Sequence, residues 1–183
     1  MCGSSISAAC ARGRRWCHDA PPARDGKRTP RRADKCARRA ATKGALRRVY
    51  RVTQEVRFCY GHRLMDYVGR CARIHGHNAR VELVMEAPNL NHQGFVMDFD
   101  ELHRVALAWI DDTLDHRLLL RHDDPVTPVL RAAGEPFVAL PENPTAEFLS
   151  RHIYDELVAR GVPLRAVRFW ETEGSLAEYD PAR

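Results

Sequence analysis

Two stretches of strict alternation, close together in the chain, constrain its fold more than any other feature. In "VRFCYGH" the residues Val56, Phe58, Tyr60 and His62 recur at every second position, and in "HGHNARVELVME" the set His75, His77, Ala79, Val81, Leu83 and Met85 does the same. Successive side chains of a strand point to opposite faces, so each set lines one face of a half-buried strand. Asn78, Arg80, Glu82 and Glu86 fall on the polar face of the second strand. If the two strands pair antiparallel, one core covers both apolar faces, and His62 meets His75 and His77 at the same end of the same face.

The remaining pattern is read around this pair. "APNLNHQG" is a turn and "FVM" a short return strand. Asp98 can cap a helix, with Glu101 three residues on completing a capping box, and Leu102, Val105, Ala106, Trp109 and Ile110 form its apolar stripe. Residues 115–142 read as a long irregular connection. A second helix follows, with Asn143 as its cap, Pro144 in its first turn, and Leu149, Ile153 and Leu157 as its buried row; Gly161 ends it. "RAVRFWET" is a strand with Val167, Phe169 and Glu171 on one face, and "LAEYD" can add another. Strands and helices do not alternate regularly, so the expectation is α+β: an antiparallel sheet with two helices packed on one face.

Charge separates a tail from this domain. Residues 1–48 hold 14 Lys/Arg against 3 Asp/Glu, a net of +11, whereas residues 49–183 hold 15 against 21, a net of −6. The tail is rich in Arg, Ala and Pro without apolar periodicity, which is the composition of a disordered extension. A nucleic-acid arm or an Arg-rich transit peptide is the functional alternative, and a nucleic-acid partner is not the expectation because the basic character belongs to the tail. No apolar run approaches a membrane span or a secretory signal, so a soluble protein is expected. Of the six cysteines, Cys2, Cys10, Cys17 and Cys36 lie in the tail without metal-knuckle spacing, and only Cys59 and Cys71 fall in the domain. Without a secretion signal a disulfide framework is not expected, and a reducing cytoplasm fits best.

The chemistry concentrates in "CARIHGHN", Cys71 to Asn78. On a strand His75 and His77 point together and clamp a metal between them; His62 supplies a third imidazole. Three histidines and an open position are the ligand set of a catalytic zinc. Cys71, on the loop entering the strand, is either a fourth ligand closing a structural site or a thiolate that moves protons. In "LDHRLL", Asp115 beside His116 is either a carboxylate orienting an imidazole for proton transfer or a surface turn. Glu171 calls for a cationic or amide-bearing ligand, unless it faces solvent at a strand end.

The segments "FCYGHRL", "CARIHGHN", "GFVMDFDEL", "LDHRLL", "ENPTAEFL" and "WET", taken in order, resemble the 6-pyruvoyl- and 6-carboxy-tetrahydropterin synthase family from about Val52 to Tyr179. The resemblance implies the tunnelling fold, a small α+β unit that assembles into oligomeric barrels, a homo-oligomer of trimer or hexamer size with active sites between subunits. It also implies Zn²⁺ held by His62, His75 and His77, a proton-accepting Cys71, a relay of Asp115 and His116, and Glu171 anchoring the pterin. Three residues separate Cys71 from His75, the spacing usual in 6-carboxy-tetrahydropterin synthases of the queuosine pathway, while the animal 6-pyruvoyl enzymes have a longer insertion. The expected reaction converts 7,8-dihydroneopterin triphosphate to 6-carboxy-5,6,7,8-tetrahydropterin; a 6-pyruvoyl product is the alternative within the family, and a zinc-stabilised binding module the alternative outside it. "CYG" departs from the small residues usual before the first histidine, and the 115–142 connection and basic tail are additions.

Overall fold

In the computed structural model, which describes residues 48–183, the alternation becomes a long strand pair. β1 (Tyr50–His62) runs antiparallel to β2 (His75–Ala87) from Tyr50 opposite Ala87 to His62 opposite His75. Phe58, Tyr60 and His62 are buried while Arg57 and Cys59 are exposed, so the face assignment made from the sequence holds. The expected disorder before Val49, and the tail cysteines, lie outside the described residues apart from Arg48.

No return strand forms at "FVM". Asn91 captures the turn instead, its Oδ1 accepting from the amides of Gln93 and Phe95 at 3.0 and 2.9 Å, a local bond that competes with strand pairing. The first helix, α1, is α-helical over Phe99–Leu102, passes through a π turn at His103–Leu107, and is α-helical again over Ala108–Thr113. Asp98 does cap it, accepting from the Asp100 amide at 2.8 Å. Glu101 completes no capping box; its carboxylate faces Arg104, 4.0 Å away.

The connection read as irregular is structured. β3 (Arg117–Arg121), α2 (Thr127–Ala133) and β4 (Phe137–Leu140) form a parallel crossover, with β3 parallel to β1 and β4 parallel to β3. "RLLLR" shows no alternation because Leu119 and Leu120 are both fully buried, as happens in a strand covered on two sides. α3 (Ala146–Ala159) is followed by β5 (Leu164–Thr172) and β6 (Ser175–Tyr179), which extend the sheet antiparallel beyond β2. The strand order is β4-β3-β1-β2-β5-β6. The sheet is therefore antiparallel on the expected side and parallel on the other.

Asn143 is not the cap of α3. Thr145 is, its hydroxyl accepting from the Phe148 amide at 3.2 Å. One core fills the inner face: Phe58, Val81, Leu83, Val167 and Phe169 from the sheet meet Leu102, Ile110, Leu149, Ile153 and Leu157 from the helices. The outer face carries charges in rows, such as Arg80 between Glu55 and Glu82 at 3.4 and 3.5 Å. Among the described residues, no helix is long and apolar enough to cross a membrane.

Candidate active site

Register brings the histidines together. His62 is paired with His75 and Tyr60 with His77, and directly opposed residues of an antiparallel pair project to the same side. The Nε2 atoms of His62 and His75 are 3.1 Å apart, and one ring nitrogen from each of His62, His75 and His77 lies within 4.8 Å of the others. The far side of two rings is fixed by carbonyls, which only accept. His62 Nδ1 donates to Pro144 O and His75 Nδ1 to Arg73 O, both at 2.7 Å. These bonds set the tautomer and leave both Nε2 lone pairs aimed inward.

His77 Nε2 is buried and has no hydrogen-bond partner. An orphaned ring nitrogen beside two inward lone pairs is costly unless something electropositive completes it. Burial holds the His62 and His77 imidazoles below their ordinary pKa, so they stay neutral and able to ligate. Glu171 adds an oxygen: its Oε1 lies 3.2 Å from His62 Nε2 and 3.5 Å from His77 Nε2, and accepts from the Tyr60 hydroxyl at 3.2 Å. Burial, reinforced by this carboxylate, raises the Tyr60 phenol far above its usual range, so it remains a donor. Three imidazoles with a carboxylate at hand suit a divalent transition ion, and the group can hold one.

The other expected residues lie elsewhere. Asp115 and His116 do pair, Oδ2 to Nδ1 at 2.8 Å. They sit with Cys59, whose side chain points away from the histidines, so within one chain this pair and the histidine cluster occupy opposite faces of the sheet. Burial works against the Asp115 carboxylate, but the Cys59 amide, which donates to Oδ1 at 2.8 Å, and His116 outweigh it and hold its pKa below the usual range. Cys71 is half-buried on a 3₁₀ turn, Arg70–Ala72, and joins neither cluster; its carbonyl accepts from the Leu64 amide at 2.8 Å.

A cleft of about 480 Å³ opens on the outer face, bounded by Cys59, Asn78, His116 and Glu135. Gly61 and Gly76 leave it bare. A Cβ on Gly76 would come within 3.1 Å of the Tyr60 carbonyl, and one on Gly61 within 3.1 Å of Leu118. Sequence reading assigned no role to three participants: Cys59, Tyr60 and the Pro144 carbonyl. Parity along β1 already put Tyr60 on the histidine face and leaves Cys59 on the other; nothing in the sequence announces the carbonyl.

Known proteins share this arrangement of elements. A structure of an uncharacterized protein from Wolinella succinogenes aligns with a TM-score of 0.60 at 24% identity, covering 73% of this chain and 98% of that one. The 6-pyruvoyl tetrahydropterin synthase of Caenorhabditis elegans aligns with a TM-score of 0.54 at 20% identity, covering 73% and 96%. In sequence, a 6-carboxy-5,6,7,8-tetrahydropterin synthase of Rickettsia conorii is 28% identical over 133 residues, 69% of this chain and 96% of its own length. One from Aquifex aeolicus is 33% identical over 125 residues, 61% and 76% of the two lengths. Residues 51–182, from the start of β1 to just past β6, match the profile of 6-pyruvoyl tetrahydropterin synthase, and the chain belongs to that family.

Proposed function

We propose that this chain is a zinc-dependent lyase of queuosine biosynthesis, converting 7,8-dihydroneopterin triphosphate and water to 6-carboxy-5,6,7,8-tetrahydropterin with release of acetaldehyde and triphosphate. The observation that carries the reading is the convergence of His62, His75 and His77, with two outer nitrogens tied to carbonyls and a third nitrogen buried without a partner. Relatives from Rickettsia and Aquifex that bear the 6-carboxy name support the product, as does the short Cys71-to-His75 spacing.

Zinc held by His62, His75 and His77 would supply Lewis acidity toward the hydroxylated side chain of the substrate, whose C–H bonds would become more acidic. Cys71 Sγ accepts a proton from that side chain. Asp115 holds His116 through Nδ1, at 2.8 Å, which leaves Nε2 free to give and take protons at the neighbouring carbons. The ring is reduced as the side chain is oxidised, so no nicotinamide takes part. Glu171, steadied by Tyr60, grips the guanidine-like edge of the pterin through paired N–H···O contacts.

Because the Asp115–His116 pair and the histidines face opposite ways in one chain, the relay of one subunit serves the metal centre of a neighbour, in the trimer or hexamer that the family resemblance implies. Both described cysteines are free thiols; a mechanism that needs Cys71 reduced belongs in the cytoplasm. The test is mass spectrometry of the products formed from 7,8-dihydroneopterin triphosphate. 6-Carboxytetrahydropterin with acetaldehyde is expected, a 6-pyruvoyl product would transfer the chain to the other branch, and no consumption of substrate by metal-loaded protein would overturn the proposal.

A further inference from the structure

We propose that Cys59, Asp115 and His116 form a second, weaker transition-metal site on the outer face of the sheet. The thiol, the carboxylate and the imidazole each present a ligand atom within 4.8 Å of the other two. Backbone contacts fix their spacing: the Cys59 amide donates to Asp115 Oδ1 at 2.8 Å, and the His116 amide donates to the Cys59 carbonyl at 2.7 Å. One residue on, β1 and β3 take up regular pairing, Tyr60 against Arg117. His116 itself adopts a φ of +52°, a left-handed conformation rare outside glycine, and this turns its side chain beside Cys59.

The donor set selects the ion. Sulfur, nitrogen and oxygen together favour zinc, cobalt or cadmium over magnesium or calcium, which prefer oxygen alone. Three protein ligands leave a fourth position facing the cleft over Gly61 and Gly76. Within the single chain nothing large must move: the His116 side chain is 80% exposed there, and the Cys59 thiol makes one bond, 3.0 Å to Asn78 Oδ1. The thiol proton leaves to solvent when the metal enters, so binding strengthens as pH rises. Exposure and that proton make the site weaker than the histidine cluster. If Asp115 and His116 act as the relay proposed above, an ion here removes both from proton transfer, and excess metal becomes a brake on the enzyme.

Cobalt(II) titration of the full chain, followed by absorbance and bound stoichiometry, tests the site independently of turnover. The wild type is expected to take two equivalents, the second accompanied by thiolate-to-cobalt charge-transfer absorption. Cys59→Ser should lose the band and the second equivalent while keeping the first, and His116→Ala should weaken the second by about tenfold or more. His75→Ala should lose the first equivalent and keep the band, which separates this site from the histidine cluster; Cys71→Ser should keep both. A band that survives Cys59→Ser, or that disappears with Cys71→Ser, overturns the assignment. Alkylation needs no variant: cobalt should shield Cys59 of the wild type from iodoacetamide in peptide mass maps, and an unchanged rate at Cys59 also overturns it.

Discussion

Replacing Asn143 by alanine probes how the segment before α3 supports the histidine cluster. Its side-chain amide clamps the backbone of Met65, Nδ2 donating to the carbonyl and Oδ1 accepting from the amide, both at 2.8 Å. The next residue, Pro144, offers the carbonyl that orients His62. Losing two hydrogen bonds costs about 0.5–1.5 kcal/mol each, with water replacing part at the half-buried Met65, so about 2 kcal/mol is expected. For a domain of this size that lowers the melting temperature by about 6–8 °C. Freed from the clamp, Pro144 drifts and His62 loses its fixed tautomer, weakening metal binding by about tenfold. Thr145→Ala is the control: it removes the cap of α3, costs about 1 kcal/mol, and leaves affinity unchanged. Thermal melts followed by circular dichroism, with chelator competition for the metal, measure both quantities. If Asn143→Ala melts like Thr145→Ala and binds metal as the wild type does, the clamp has no role at the centre.

Asp124 is buried, ion-paired with Arg63, and accepts from the Val126 amide at 2.9 Å; Asp124→Ala should cost about 3 kcal/mol by leaving Arg63 unpartnered. Burial raises this carboxyl, yet Arg63 and the Val126 amide outweigh it and the folded pKa lies below normal. A depressed pKa gives stability that is fully present above the unfolded value and lost as pH falls, so denaturant melts should show the gap between wild type and variant shrinking below about pH 4; an equal gap at pH 3 and pH 7 would contradict this. Cys71→Ala should retain zinc while turnover drops by about 10²–10⁴-fold, whereas loss of zinc would make Cys71 a ligand. Light scattering should find a multiple of three subunits, and a fully active monomer would refute shared active sites.

The sequence made the inner face legible because a period of two is unambiguous wherever one face of a strand is buried. Val56 to His62 and His75 to Met85 show it, and antiparallel pairing followed, which put three histidines at one corner. Legibility failed where side chains act on the backbone. Asn91 closes a loop where "FVM" looked extended, and Asn143 grips Met65, distant in sequence, although its place before Pro144 imitates a helix cap. β3 was hidden because Leu119 and Leu120, adjacent and both buried, erase alternation, and β4, four residues long with only Leu140 buried, resembles loop. The site was legible in its residues but not in its grouping. Asp115 and His116 pair as read, yet the fold sets them with Cys59 on the outer face, a placement that depends on β3 lying beside β1.

The proposed enzyme depends on a metal held by His62, His75 and His77. Elemental analysis of tightly bound zinc, after dialysis that strips weaker sites, tests it most directly in the wild type and in His75→Ala and His77→Ala, with folding of each checked by circular dichroism. One zinc per chain is expected in the wild type, and little or none in either folded variant. Zinc content unchanged by both substitutions would contradict the claim.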